Sequence, residues 1–210
     1  ERLDIAAPTL SFHLKELTHA GLVAQSHSRR HPSLAPSTRF SAPAMGVVKG
    51  ATRAQLDEVV TDFEHAAQVA IDAGFDAIEI HLGHNYLLSS FLSPKFNRRT
   101  DRWGGSIENR ARFARQVVTA VRAAVGTDVA VTAKLNMVDG YRGGLTIEDS
   151  IQVARFLEAD GGLDALVLTG GSSLANPMYL FKGAAPTRDF GATLPWYLRP
   201  GFRLVGDRFL

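Results

Sequence analysis

The chain has 210 residues, 45% of them hydrophobic and 21% charged, with 19 Gly, 9 Pro and no Cys, the composition of globular rather than disordered or fibrous material. The absence of cysteine excludes disulfide staples, thiol catalysis and Cys-ligated zinc or iron–sulfur sites, and a reducing, cytoplasmic setting is expected. The net charge is only +2, residues 1–49 holding six basic and three acidic side chains, so nucleic acid is not an expected partner; no apolar run nears the roughly 20 residues of a membrane span, and no signal peptide is expected.

Residues 1–30 are written differently from the rest. Leu10, Leu14 and Leu17 predict a short amphipathic helix with Thr9, Ser11, His13 and Lys15 on its polar side, followed by the turn Ala20-Gly21. The run AAPTLSFHLKELTHAGLV, residues 6–23, resembles the recognition helix and turn of ArsR-type winged-helix regulators. That resemblance implies that Thr9, Ser11, His13 and Lys15 face DNA. The other winged-helix elements are missing, so a surface helix, an appendage or a remnant joined at the polar 24–33 junction is the competing reading.

From residue 52 the pattern alternates helices with short apolar strands. Thr52 and Gln55 form a capping box ahead of Leu56, Val59, Val60, Phe63, Ala67 and Ala70, and Gly74 ends the run. A strand follows at Ala77 to His81, then a polar, irregular stretch. Ser106 caps a second helix with apolar face Ile107, Ala111, Ala114, Val117, Val118 and Val121, ending at Gly126; Val129 to Leu135 is the next strand. Thr146 with Asp149 opens a third helix carrying Ile147, Ile151, Ala154 and Leu157, which stops at Gly161-Gly162, and Ala165 to Thr169 is a third strand. Such βα units build either a (β/α)8 barrel or an open doubly wound sheet. No GxGxxG or GxxxxGK[ST] follows a strand, which favours the barrel. The predicted class is α/β, a partial (β/α)8 TIM barrel with a short N-terminal helical segment, since a complete barrel takes about 250 residues.

The first strand runs out into His81-Leu82-Gly83-His84-Asn85-Tyr86, at the carboxyl end where barrel enzymes place reacting groups. Three readings compete. Two imidazoles at i and i+3 could ligate a metal, but Glu79 and Asp101 are poorly placed as further ligands. The side chains could merely satisfy buried polar groups. They could also form a pair of hydrogen-bond donors beside a proton donor, which polarises an oxygen while a neighbouring carbon is protonated.

The run GFDAIEIHLGHNYLLSSFLSPKFNRRTDRWGGSIENRARF, residues 74–113, resembles the central signature of the old yellow enzyme family of FMN-dependent NADH:flavin oxidoreductases. The resemblance continues through AVTAKLN at 130–136, LTGGSS at 168–173 and NPMYLFKG at 176–183, and covers residues 31–210. It implies FMN as cofactor, NADH or NADPH as reductant, and a small electrophilic alkene such as an α,β-unsaturated carbonyl as substrate. It further implies that His81 and His84 bind the substrate oxygen, that Tyr86 protonates the α-carbon, and that Lys134, with His81 beside it, contacts the flavin near N1 and the C2 carbonyl. On the residues alone, the competing reading of Lys134 is a barrel-mouth lysine paired with a carboxylate such as Asp139. Asn97 to Asp101 and Gly104 to Arg110 read as a locked loop and a helix cap; Trp196 and Phe202 are expected to cover apolar surface. Relative to a full family member, the opening strands and the last two strands with their phosphate-binding loops are missing. Self-association along open barrel edges is therefore expected. The alternatives to the oxidoreductase are an ArsR-like regulator and an inactive fused fragment.

Overall fold

The computed structural model describes residues 34–41, 46–175 and 196. The expected N-terminal helix-turn-helix, the 176–183 stretch and Phe202 lie outside them. A small sheet comes first: β1 (Leu34–Ala35) runs parallel to β3 (Gly46–Gly50), whose other edge pairs antiparallel with β2 (Arg39–Ser41). Next come α1 (Arg53–Asp72), β4 (Ala77–Leu82), α2 (Leu87–Leu92), α3 (Ile107–Val125), β5 (Ala130–Asn136), α4 (Ile147–Asp160) and β6 (Ala165–Thr169). Strands β4, β5 and β6 lie side by side in that order, all parallel, as connections through covering helices require.

Helix starts follow the sequence chemistry. The Thr52 hydroxyl accepts from the Gln55 amide while the Gln55 side chain accepts from the Thr52 amide. Ser106 and Thr146 accept from the amides of Asn109 and Asp149. The core is the apolar stripe of α3 against the strands: Val117, Val118, Val131, Ala133, Leu135, Val153 and Leu157 are wholly buried. Ile78, Ile80 and Leu82 share one face of β4 with that core, which leaves Glu79 and His81 on the opposite face by the alternation of a strand.

Three features differ from the sequence reading. Strand β4 extends to Leu82, and β5 runs from Ala130 to Asn136 rather than from Val129 to Leu135. The stretch read as irregular contains α2, which has no side-chain cap at Tyr86 and buries Leu88, Ser89, Ser90, Phe91 and Leu92; tertiary burial, not local propensity, makes it helical. Trp196 is 79% exposed and covers little. The loop after α2 is locked as its composition suggests. Asn97 donates to the carbonyls of Phe91 and Trp103, both at 2.7 Å. Arg99 reaches Asp101 and the carbonyls of Pro36 and Ala51, and Arg110 joins the carbonyls of Leu92 and Gly105 to Asp149.

Candidate functional site

The carboxyl ends of the three parallel strands bring the sequence-selected residues together. His81 on β4 lies in register with Lys134 on β5, and Asn136 at the end of β5 with Thr169 at the end of β6. The His81 ring centroid is 5.2 Å from that of His84 and 5.1 Å from that of Tyr86. Tyr86 opens α2 in an extended conformation and is 56% exposed.

The chain must turn sharply to place both imidazoles there. His84 and Asn85 adopt left-handed conformations, φ 57° and 56°, the only described non-glycine residues to do so. Such backbone costs of order 1 kcal/mol or more per residue and persists where surroundings over-determine it. They do so here. The His84 amide donates to Asn136 Oδ1 at 3.0 Å, the His84 carbonyl accepts from the Ser173 amide at 3.0 Å and its hydroxyl at 2.8 Å, and His84 Nε2 lies 2.8 Å from Thr169 Oγ1.

Electrostatics set the protonation states. Burial above all, then the neighbouring His84 and the Lys134 charge, lowers His81 from 6.5 to about 4. Burial and Lys134 likewise lower His84. At neutral pH both rings are uncharged and each carries one N–H to donate. His81 Nδ1 is buried without a hydrogen-bond partner among the described residues. Lys134 Nζ sits 2.9 Å from Glu79 Oε1, and the Glu79 side chain is 4% exposed. The lysine's carboxylate partner is therefore Glu79, not Asp139. The two share a face of the sheet, one strand apart, whereas Asp139 is taken up by a hydrogen-bond cluster with Asn85, Asn136 and Tyr141.

The His81 shift predicts a pH dependence. The folded state resists protonation that the unfolded chain accepts, so this histidine's contribution to stability is intact above about 6.5 and is lost as pH falls toward 4. The loss is at most about 3 kcal/mol. Denaturant midpoints measured from pH 8 to pH 4 should fall across that window, and His81→Asn should flatten the fall; an unchanged slope would count against a buried neutral His81.

Among the described residues no group of three or more metal-ligating side chains forms, and no helix is long and apolar enough to cross a membrane. A surface concavity over α3, lined by Arg102, Arg112, Arg115, Gln116, Thr119 and Asp160, lies away from the strand ends, and the guanidinium groups of Arg112 and Arg115 are engaged with the Arg102 carbonyl and with Asp160. The donor set at the strand ends fits the ring of a flavin: a fixed cation, two neutral imidazoles and one unpartnered buried nitrogen. Sequence reasoning missed Glu79 as the lysine's partner and the Asn85, Asn136, Asp139 and Thr169 clamp. For the clamp residues, positions beside or at strand ends are the signal that could have found them; Glu79, in the middle of β4, carries no such signal.

Residues 10–182 match the model of the NADH:flavin oxidoreductase / NADH oxidase family, a match that begins inside the run read as a helix-turn-helix. The chain is 58% identical over 193 residues to the 4,4'-dithiodibutanoate disulfide reductase of Rhodococcus erythropolis, covering 92% of this chain and 48% of that protein. It is 33% identical over 168 residues to the NADPH dehydrogenase of Bacillus cytotoxicus, covering 80% and 47%. Morphinone reductase in complex with tetrahydroNAD superposes with a TM-score of 0.56 at 31% identity, over 64% of this chain and 42% of its own. The old yellow enzyme homologue of Zymomonas mobilis does so with 0.59 at 23% identity, over 70% and 47%, a likeness of fold. The chain thus spans about half the length of the curated relatives it matches, and its parallel βα units are part of a (β/α)8 barrel.

Proposed function

Because the chain belongs to the NADH:flavin oxidoreductase / NADH oxidase family, we propose that it forms the ring-side half of an FMN site at which NAD(P)H reduces an electrophilic alkene. The observation that carries this reading is the meeting of His81, His84 and Tyr86 at 5.1–5.2 Å beside Lys134, at the end of a barrel strand. When bound, the flavin supplies hydride transfer from NAD(P)H to the substrate's β-carbon.

The protein's own groups do the rest. His81 and His84, held neutral, donate N–H bonds to the carbonyl or nitro oxygen on which negative charge grows, a placement that favours the transition state over the ground state. Tyr86 gives its hydroxyl proton to the α-carbon. Lys134 would hold the electron-rich edge of the flavin ring, its ammonium fixed by Glu79 at 2.9 Å.

The 58% identity to a disulfide reductase favours a second substrate class, a disulfide that accepts hydride at one sulfur and releases the other as thiolate. Tyr86 separates the two. A carbanionic carbon needs its proton delivered, whereas a thiolate, with a conjugate-acid pKa near 8.5, leaves unaided. The test is an FMN titration of the purified chain followed by NAD(P)H oxidation with cyclohexenone and with 4,4'-dithiodibutanoate. His81→Ala should slow the alkene reaction roughly 100- to 1,000-fold. Tyr86→Phe should abolish alkene reduction and spare disulfide reduction if both occur. Saturable FMN binding with neither substrate consumed would sink the reading.

A further inference from the structure

We propose that Asp139 is a positioning residue whose carboxylate, wholly enclosed behind the site, dictates the geometry of the turn that carries His84 by fixing the side-chain amides of Asn85 and Asn136. The inference rests on the reading of His81 and His84 as the oxygen-polarising pair.

Asp139 is 1% exposed and receives four neutral donors: Asn85 Nδ2 at 3.1 Å and Asn136 Nδ2 at 2.9 Å on one oxygen, Tyr141 Oη at 3.0 Å and the Leu145 amide at 2.8 Å on the other. No cation is within ion-pair distance of it among the described residues. A carboxylate can only accept, so it forces both asparagines to present their NH2 groups inward. The orientation of Asn136 is then settled, and its Oδ1 faces outward to take the His84 amide at 3.0 Å. Asn136 is wholly buried and also donates to the Gly171 carbonyl at 2.8 Å. Asn85 is likewise fixed, its Oδ1 lying 3.0 Å from Tyr141 Oη, whose single proton it shares with Asp139 Oδ2; burial raises the Tyr141 phenol, which keeps it a donor.

Both left-handed residues therefore take their constraint from one anion. Asn85 is bonded to it directly, and His84 through Asn136. The cluster also explains why a buried carboxylate without a counter-cation is kept, since four charge-assisted hydrogen bonds replace its hydration. The spacing is tight: a Cβ placed on Gly144 would lie 2.6 Å from Asp139 Cβ and 2.9 Å from Asp139 Oδ2, and one on Gly83 would lie 3.2 Å from Asn136 Oδ1.

Asp139→Asn keeps the volume but brings a donor of its own, so the neighbouring amides can flip and withdraw Oδ1 from His84. Asn136→Ala removes the relay between Asp139 and the His84 amide, so it serves should Asp139→Asn fail to fold. Nitrogen-15 NMR of the histidine rings in the full chain, without flavin, reads the outcome. In both variants the His84 signals should move from a single fixed tautomer toward the averaged values of a free imidazole, while exposed His65 stays unchanged. In flavin-loaded protein kcat should fall about tenfold with FMN affinity within twofold of the parent. A folded variant with unaltered His84 signals overturns the proposal. Altered signals in a protein whose parent reduces neither substrate would instead refute the functional reading and leave the positioning role standing.

Discussion

Replacing Lys134 with alanine is expected to lower the unfolding free energy by about 3–5 kcal/mol, the cost of stranding one partner of a buried ion pair. Glu79 is 4% exposed and the Lys134 side chain 21%, with 2.9 Å between ammonium and carboxylate. Without the lysine, a carboxylate stays buried on the inner face of β4, where the strand backbone holds it away from water. The double replacement Glu79→Gln with Lys134→Met removes both charges and should recover most of the loss, since matched removal of a buried pair is often close to neutral. Chemical denaturation of the two variants checks this, and a loss below 1 kcal/mol in the single variant would show that Glu79 finds solvent or a proton. Flavin affinity in Lys134→Ala therefore mixes a missing contact with a damaged fold. Lys134→Arg is the cleaner probe of the ring contact.

A comparable loss, about 3 kcal/mol, is expected for Gly104→Ala. A Cβ at this position would lie 2.5 Å from Arg99 Cβ and 2.6 Å from the Arg99 carbonyl carbon. Backbone cannot yield as a flexible side chain can. The segment that must shift carries the Arg99 bonds to the Pro36 and Ala51 carbonyls, at 3.0 and 2.7 Å, which tie the loop to the first small sheet. Gly105→Ala is the useful comparison, because its φ of 81° strains any side chain but nothing lies within 4 Å of its Cβ. Thermal melts should place Gly104→Ala well below Gly105→Ala; the reverse order would show that conformation, not contact, governs this loop.

Much of this was legible in the residues because local chemistry and global fold agree where helices start and strands alternate. Thr52, Ser106 and Thr146 each place a hydroxyl where an unpaired amide needs one, and Ala165 to Thr169 is the strand the sequence predicts. The His81, His84 and Tyr86 grouping was legible for a related reason, since three chemically active residues in six positions at a strand end converge with little help. Helix α2 was not legible, because Tyr86 offers no cap and only burial of Leu88, Phe91 and Leu92 against distant elements makes it pay. Nor was the Glu79 to Lys134 pair. Asp139 is near Lys134 along the chain, whereas Glu79 becomes its neighbour only once β4 and β5 are in register. The Asn85 and Asn136 amides take their orientation from a carboxylate 54 and 3 residues away, and no short-range pattern encodes that.

The left-handed turn at His84 and Asn85 also fixes an order of events in folding. The bonds that hold it join residues 52, 54, 85 and 89 apart in the chain, so the two to Asn136 and Asp139 wait until β5 has docked beside β4, and the two to Thr169 and Ser173 until β6 has joined them. Contacts of such separation are made late, after their loop-closure entropy has been met. The turn that carries His84 is then among the last features to assemble, and because its amide is held by Asn136 on β5, amide exchange at residue 84 should track the parting of β5 from β4 rather than fraying of β4 alone.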